Sequence, residues 1–335
     1  MKRAGIWKKG IPQLSSAQYP QAHRSPRIPA LDIARGLALI AMTTFHFSWD
    51  LEFFGYADRG LTSLPLFKWY ARGIAFTFLL LAGISFALAH GNGIRRGAFL
   101  ARFLQISAAA ALISAATWYA TPDAFVFFGI LHQIAFASVF ALLFLRLPVS
   151  LTLIAAAILL VLPLLFRSTV FESPLFWWTG LAENLPRAND YVPVFPWTGV
   201  VLLGLAIGKY VLANNLAPCL AALSHAGRHP ARGLSFLGRH SLAYYLIHQP
   251  VLFGLLYLAT LIMPPDRSEA YLQSCVESCL PSSAEPFCRA FCVCVQQSLE
   301  SKGIFAEVLG GTRDVASDPE ILDTASQCTA KAAGG

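Results

Sequence analysis

Charge is scarce in this sequence. Only 13% of its residues are Asp, Glu, Lys or Arg, where a soluble globular domain carries about a quarter. Together with 56% hydrophobic residues and a mean hydropathy of +0.56, this excludes an ordinary soluble enzyme. It points to a polytopic membrane protein. A Gly-rich P-loop, a GxSxG elbow and an HExxH helix are all missing, so none of those chemistries is indicated. The first 26 residues carry Lys2, Arg3, Lys8, Lys9 and Arg24 but no apolar run. They do not read as a cleavable signal peptide, and a disordered cytoplasmic tail is expected. The net charge of +7 does not imply nucleic acid, because the basic residues gather in this tail and in alternate loops.

What is present is a series of long apolar runs. Length and apolarity predict seven spans, at about 30–53, 66–89, 98–119, 124–145, 149–166, 195–213 and 236–262. The expected fold is all-α: a polytopic helical bundle of about seven transmembrane helices over 27–262, then a small cysteine-rich helical tail over 263–335. Arg95, Arg96, Arg146, Lys209, Arg228 and Arg232 fall in every second loop. The positive-inside rule then puts the N-terminus in the cytoplasm and the tail outside. For a bacterial inner membrane, outside is the periplasm.

Cysteine usage gives an independent indication. Cys219 stands alone in a loop read as cytoplasmic, and the other six cysteines follow the last span. An even set in a short polar segment suggests disulfides in an oxidising compartment. Cys275 and Cys279, like Cys288 and Cys292, are spaced to share one helix face. An antiparallel hairpin would join Cys275 to Cys292 and Cys279 to Cys288, leaving Cys294 for Cys328. Six cysteines allow 15 connectivities. A zinc site is the rival, disfavoured because neither pair has C-x2-C spacing and no His follows residue 262.

The first span, within Arg27–Gly55, carries Asp32, Arg35, His46 and Asp50. Ionisable side chains in a span are costly and mark function by default. At about 100° per residue all four fall within roughly one sixth of the helix circumference. Such a stripe should face the protein interior; the alternative is a set of buried pairs that only holds helices together. Asp32 and Arg35 lie at an inner depth, His46 and Asp50 at an outer one. His132 in the fourth span sits at about the depth of His46 and could meet it. His248, with His240, Ser241 and Tyr244, forms a polar stripe on the seventh span, and Arg239 lies at its inner end. For His132 or His248 alone, a hydrogen-bonded packing role is as good a reading as a functional one. Ser48, Ser85, Gly83, Gly199, Gly204 and Gly208 read as helix-packing positions.

The runs LDIARGLALIAMTTFHFSWDL, FGILHQIAF, VPVFPWTGVVLLGLAIG and FLGRHSLAYYLIHQPVL resemble the bacterial relatives of heparan-alpha-glucosaminide N-acetyltransferase. These are similar to a wider transmembrane acyltransferase superfamily that includes the type-three acyltransferases. The Arg35–His46 interval matches the Arg-Gly…His pattern of that superfamily. The resemblance implies an enzyme moving an acetyl group from cytosolic acetyl-CoA to a glycan hydroxyl or amino-sugar amine across the membrane. His46 would be the general base or transient acyl acceptor, Asp50 would orient it, and His132 would stabilise the oxyanion. Arg35, Asp32, Arg239 and His248 would serve the CoA donor. No metal is expected, lipid and the glycan are the expected partners, and a homodimer is among the options for assembly. A proton-coupled transporter or flippase of an envelope precursor is the alternative function.

Overall fold

The computed structural model describes residues 28–58, 60–91, 93–216, 218–219, 229–265, 267–309 and 312–334. The basic tail read over 1–26, and Arg228, lie outside the described residues. Among the described residues there are helices and no strands. The apolar part comprises α1 (Pro29–Phe54), α2 (Pro65–His90), α3 (Arg96–Ala120), α4 (Ile130–Leu142), α5 (Val149–Leu165), α6 (Val194–Ala213), α7 (His229–Arg239) and α8 (Ser241–Ile262). The cysteine-rich part follows as α9 (Ser268–Cys279), α10 (Glu285–Ser301), α11 (Phe305–Leu309) and α12 (Pro319–Ala333). Five helices (α1, α2, α3, α6 and α8) are long and apolar enough to cross a membrane, and α4 and α5 are shorter apolar helices.

The chain is a multi-pass membrane protein. On α8 alone, Ile247, Val251, Leu255, Leu258 and Leu261 are exposed. A row of that kind is stable against lipid and unstable against water.

The central packing joins α6 to α2 and α5. Lipid supplies no hydrophobic drive between helices, so close backbone approach through small residues does that work. A Cβ on Gly83 would strike the Val201 carbonyl, and one on Gly204 would strike that of Leu80. Gly199 and Gly208 meet α5 and α2 in the same way, as expected for them. A second close approach joins α1 to α7. Gly36 lies against the Leu234 backbone and Gly238 against that of Asp32.

Two expected spans come out differently. The fourth, read as 124–145, is helical only over Ile130–Leu142. Residues 125–129 are not helical, and other groups satisfy their backbone. Val192 N–H donates to the Phe128 carbonyl at 3.0 Å, Ser114 donates to the Val126 carbonyl at 2.6 Å, and Val126 N–H donates to Thr117 at 3.0 Å. Non-helical backbone at membrane depth is tolerated where protein covers it in this way. The seventh, read as one span over 236–262, is two helices broken at His240, whose φ and ψ of −101° and 25° are not helical.

The cysteine-rich part holds three disulfides: Cys275–Cys292, Cys279–Cys288 and Cys294–Cys328. This is the pairing that the antiparallel hairpin predicts. Cys219 is free and exposed.

Candidate active site

The charged stripe of α1 resolves into two groups. Near its N-terminal end Arg35 forms an ion pair with Asp32 at 2.9 Å and also donates to Ser85 of α2. Ser85 in turn donates to its own helix at Leu81. Arg102 of α3 lies close enough to feel the charge of Arg35. Gly238 explains how α7 reaches this end: without a side chain, it seats directly on the backbone of Asp32.

Eleven residues further along the chain, about 16 Å along the helix, His46 meets His248 of α8. The ring centroids are 5.1 Å apart at an interplanar angle of 61°. His248 is 8% exposed. Its Nδ1 lies 2.7 Å from the Tyr245 carbonyl, and a carbonyl can only accept. Nδ1 therefore carries the proton, and the neutral ring holds its lone pair on Nε2. Nε2 is buried and has no hydrogen-bond partner among the described residues. The Tyr244 ring stacks on His248 with centroids 5.8 Å apart, and its hydroxyl meets Thr43 of α1 at 2.7 Å.

Asp50 is fully buried, but its bonded partner is Gln249, whose Nε2 donates to Oδ1 at 2.7 Å. Oδ2 is buried without a partner among the described residues. No hydrogen bond joins Asp50 to His46 among the described residues, so the expected carboxylate–imidazole pair is not formed. Gln249 follows His248 directly, so α1 and α8 meet through two consecutive polar residues.

His132 is elsewhere. Its Nδ1 accepts the Gly129 N–H at 3.2 Å, and its Nε2 is 3.2 Å from Ser114. Ser114 gives its own hydrogen to Val126, so the imidazole donates to Ser114. One ring nitrogen thereby caps the first turn of α4 and the other ties that turn to α3. No contact joins His132 to His46 among the described residues, because the entry to α4 is not the helix that matching their depths assumed. Asp190 completes this cap: its Oδ2 accepts from Ile130 N–H at 2.9 Å and from the Tyr245 hydroxyl at 3.3 Å. Burial pushes the Asp190 carboxyl up from the ordinary carboxylate range, against the pull of these two donors. Asp190 and Tyr245 thus tie the 181–193 loop, α4 and α8 together. Nothing in the loop sequence marks Asp190 apart from its neighbours.

Arg239 and His240 face outward from the α7–α8 junction. Arg239 donates to Ser235 at 3.2 Å, and His240 Nδ1 donates to Phe236 at 2.9 Å; both are exposed bonds within the same helical turn.

The fold is that of a multi-pass helical membrane protein whose first and last apolar helices bring two imidazoles together inside the bundle. Residues 27–250 match the catalytic-domain family of heparan-alpha-glucosaminide N-acetyltransferase, so the chain belongs to that membrane acetyltransferase family. No curated protein and no solved structure matches it. The match takes in α1 to the middle of α8, and stops short of the three disulfides.

Proposed function

We propose that this protein transfers an acetyl group from cytosolic acetyl-CoA to a glycan amine or hydroxyl on the extracytoplasmic side, with His46 and His248 as the reacting pair. The observation that carries this reading is the imidazole pair itself, with His248 Nδ1 committed to a backbone carbonyl and Nε2 left buried and unbonded. Histidine is the natural general base near neutral pH.

His46 takes the proton of the acceptor amine or hydroxyl as that atom attacks the thioester carbonyl carbon. The tetrahedral intermediate collapses, the carbon–sulfur bond breaks, and the proton held on the imidazole passes to the departing CoA thiolate. His248 offers the second lone pair for this proton. Asp50, through Gln249, fixes the strand of contacts that holds α8 against α1. Arg35, with Arg102 beside it and Arg239 at the inner surface, favours entry of the anionic CoA arm from the cytoplasm. His132 holds the α4 entry and takes no part in the transfer. The N-terminus is then cytoplasmic and the disulfide-bonded segment lies in the oxidising space outside, the arrangement that bacterial inner-membrane topology gives.

The test is purified protein with radiolabelled acetyl-CoA and glucosamine. Labelled N-acetyl or O-acetyl sugar supports the enzyme. Full transfer by His46→Ala and His46→Gln would remove His46 from the mechanism, and sugar movement across vesicles without labelling would favour transport instead.

A further inference from the structure

The outer end of α1 and the first helix of the disulfide-bonded segment enclose a cleft of about 200 Å³. Glu52 and Phe54 line it from α1, and Arg267, Tyr271, Ser274 and Leu309 line it from the cysteine-rich part. We propose that this cleft binds one sugar unit of the acceptor, and that this unit carries a carboxylate or phosphate group held by Arg267. The inference rests on the reading above that the acceptor arrives at the outer end of α1.

Three observations lead to it. The first is charge. The Arg267 guanidinium has no ion pair or hydrogen bond among the described residues, although the side chain forms a wall of the cleft beside Gly55. The nearby carboxylate is already committed. Glu52 accepts the N–H groups of Gly60 and Thr62 at 2.7 and 2.9 Å and the Thr62 hydroxyl at 2.7 Å, and so closes the loop after α1. A guanidinium offers five donors in a planar fork suited to carboxylate or phosphate.

The second is the lining. Phe54 and Leu309 line the cleft beside the polar residues Tyr271 and Ser274, the Ser274 hydroxyl donating to the Tyr271 carbonyl at 3.0 Å. Small-molecule sites combine apolar walls with a few convergent polar groups in this way.

The third is position and rigidity. Phe53 lies seven residues outward of His46, about 10 Å along the same helix. A sugar in the cleft therefore directs the rest of its chain toward the imidazole pair. The outer wall is held in place from several sides. Cys275, next to Ser274, is bonded to Cys292 of α10, Tyr271 packs edge-on against Phe305 at 5.2 Å, and Tyr56 donates to the Met263 carbonyl at 2.6 Å. The disulfides thereby acquire a purpose: they hold a specificity wall that the matched family region, ending at residue 250, does not include.

The experiment is equilibrium binding of glucuronic acid, glucose 6-phosphate and glucose to the full-length protein in detergent, read by isothermal titration or saturation-transfer NMR. At least one acidic sugar should bind at least about tenfold more tightly than glucose, and which one does so separates carboxylate from phosphate. Arg267→Gln should bring the acidic sugar down to the level of glucose. Arg267→Lys, which keeps the charge, should lose only a few-fold, and a folded Arg267→Lys rules out a merely structural loss. His46→Ala should bind like the wild type. Equal binding by wild type and Arg267→Gln, or no preference for an acidic sugar, would overturn the proposal. Binding is read without turnover, so an inactive or fully active His46→Ala bears on the reaction and leaves the cleft judged on its own.

Discussion

The imidazole of His46 on α1 meets that of His248 on α8 edge-to-face, with centroids 5.1 Å apart, although 202 positions separate them in the chain. Nothing holds the two rings by a direct hydrogen bond; they are placed by the helices that carry them. Tyr244 and Thr43 bond across the same interface about one turn of α1 before His46, and Gln249 and Asp50 bond about one turn after it. The pair therefore sits between two polar clamps, and its geometry depends on α1 and α8 staying in register.

If the two rings share one proton during transfer, they act as a unit, and their loss should not add. His46→Ala and His248→Ala should each lower kcat for acetyl transfer by at least about 100-fold, the range for losing a positioned base. The double variant should be little worse than either single one. Purified proteins assayed with labelled acetyl-CoA would read this. Independent, multiplying losses would mean that the two histidines serve separate steps.

Asp50 and Gln249 are a buried pair in which one carboxylate oxygen already lacks a partner among the described residues. Gln249→Leu removes the donor and leaves the whole carboxylate unsatisfied. That should destabilise the protein by about 1–3 kcal/mol. Replacing both as Asp50→Leu with Gln249→Leu removes the polar groups together and should recover part of the loss. Thermal unfolding in detergent, followed by tryptophan fluorescence, compares the three variants. The prediction fails if the double variant is less stable than Gln249→Leu alone.

The α1–α7 contact predicts opposite outcomes for two glycines of one short helix. A methyl at Gly238 runs into the Asp32 backbone, whereas one at Gly233 meets nothing within 4 Å. Gly238→Ala should cost about 1–3 kcal/mol, as overpacking does. Gly233→Ala should be neutral or stabilising by up to about 1 kcal/mol, through helix propensity. Because Asp32 holds Arg35, Gly238→Ala should also raise KM for acetyl-CoA, and Gly233→Ala should leave it unchanged. Melting curves and donor titrations check both halves.

Much of this architecture was legible from apolar runs and spacing. The helices α1, α2, α3, α5 and α6 lie close to where length and apolarity put them. Gly83 and Gly204 read as positions of close helix approach, although not which helices would meet there, and the i,i+4 cysteine pairs announced the hairpin and its disulfides. Where the reading differed, the reason was polar satisfaction at a distance. The segment Phe125–Gly129 is as apolar as a span, but Ser114, Thr117 and the 181–193 loop offered its backbone other partners, so the helix starts later. That late start gives His132 a capping role and separates it from His46. The partner of His46 was in view as His248, but helical spacing places residues on one helix and cannot choose between two candidate helices across a bundle. Asp190 left no trace, because one acidic residue in a polar loop becomes distinctive only when Ile130 and Tyr245 are folded onto it.

The cysteines offer a direct measure of which way the chain lies in the membrane. Seven thiols are encoded, six are paired in the disulfide-bonded segment, and Cys219 is free and exposed between α6 and α7. If that segment is outside and the α6–α7 connection is cytoplasmic, the two sets differ in both redox state and access. In intact cells a membrane-impermeant maleimide should label nothing. A permeant maleimide should label one thiol, lost in Cys219→Ser. After treatment with an impermeant reductant, the impermeant maleimide should label the tail thiols while Cys219 stays protected. Removing Cys275 and Cys292 together, as Ser, should lower the stability of the tail by about 2–4 kcal/mol, the usual range for one disulfide. It should leave labelling of Cys219 unchanged. Labelling of Cys219 by the impermeant reagent in unreduced cells would invert the topology, and with it the assignment of donor and acceptor to the two ends of α1. The outcome bears on mechanism as well as orientation, because the same helix carries Arg35 toward one side and Glu52 toward the other.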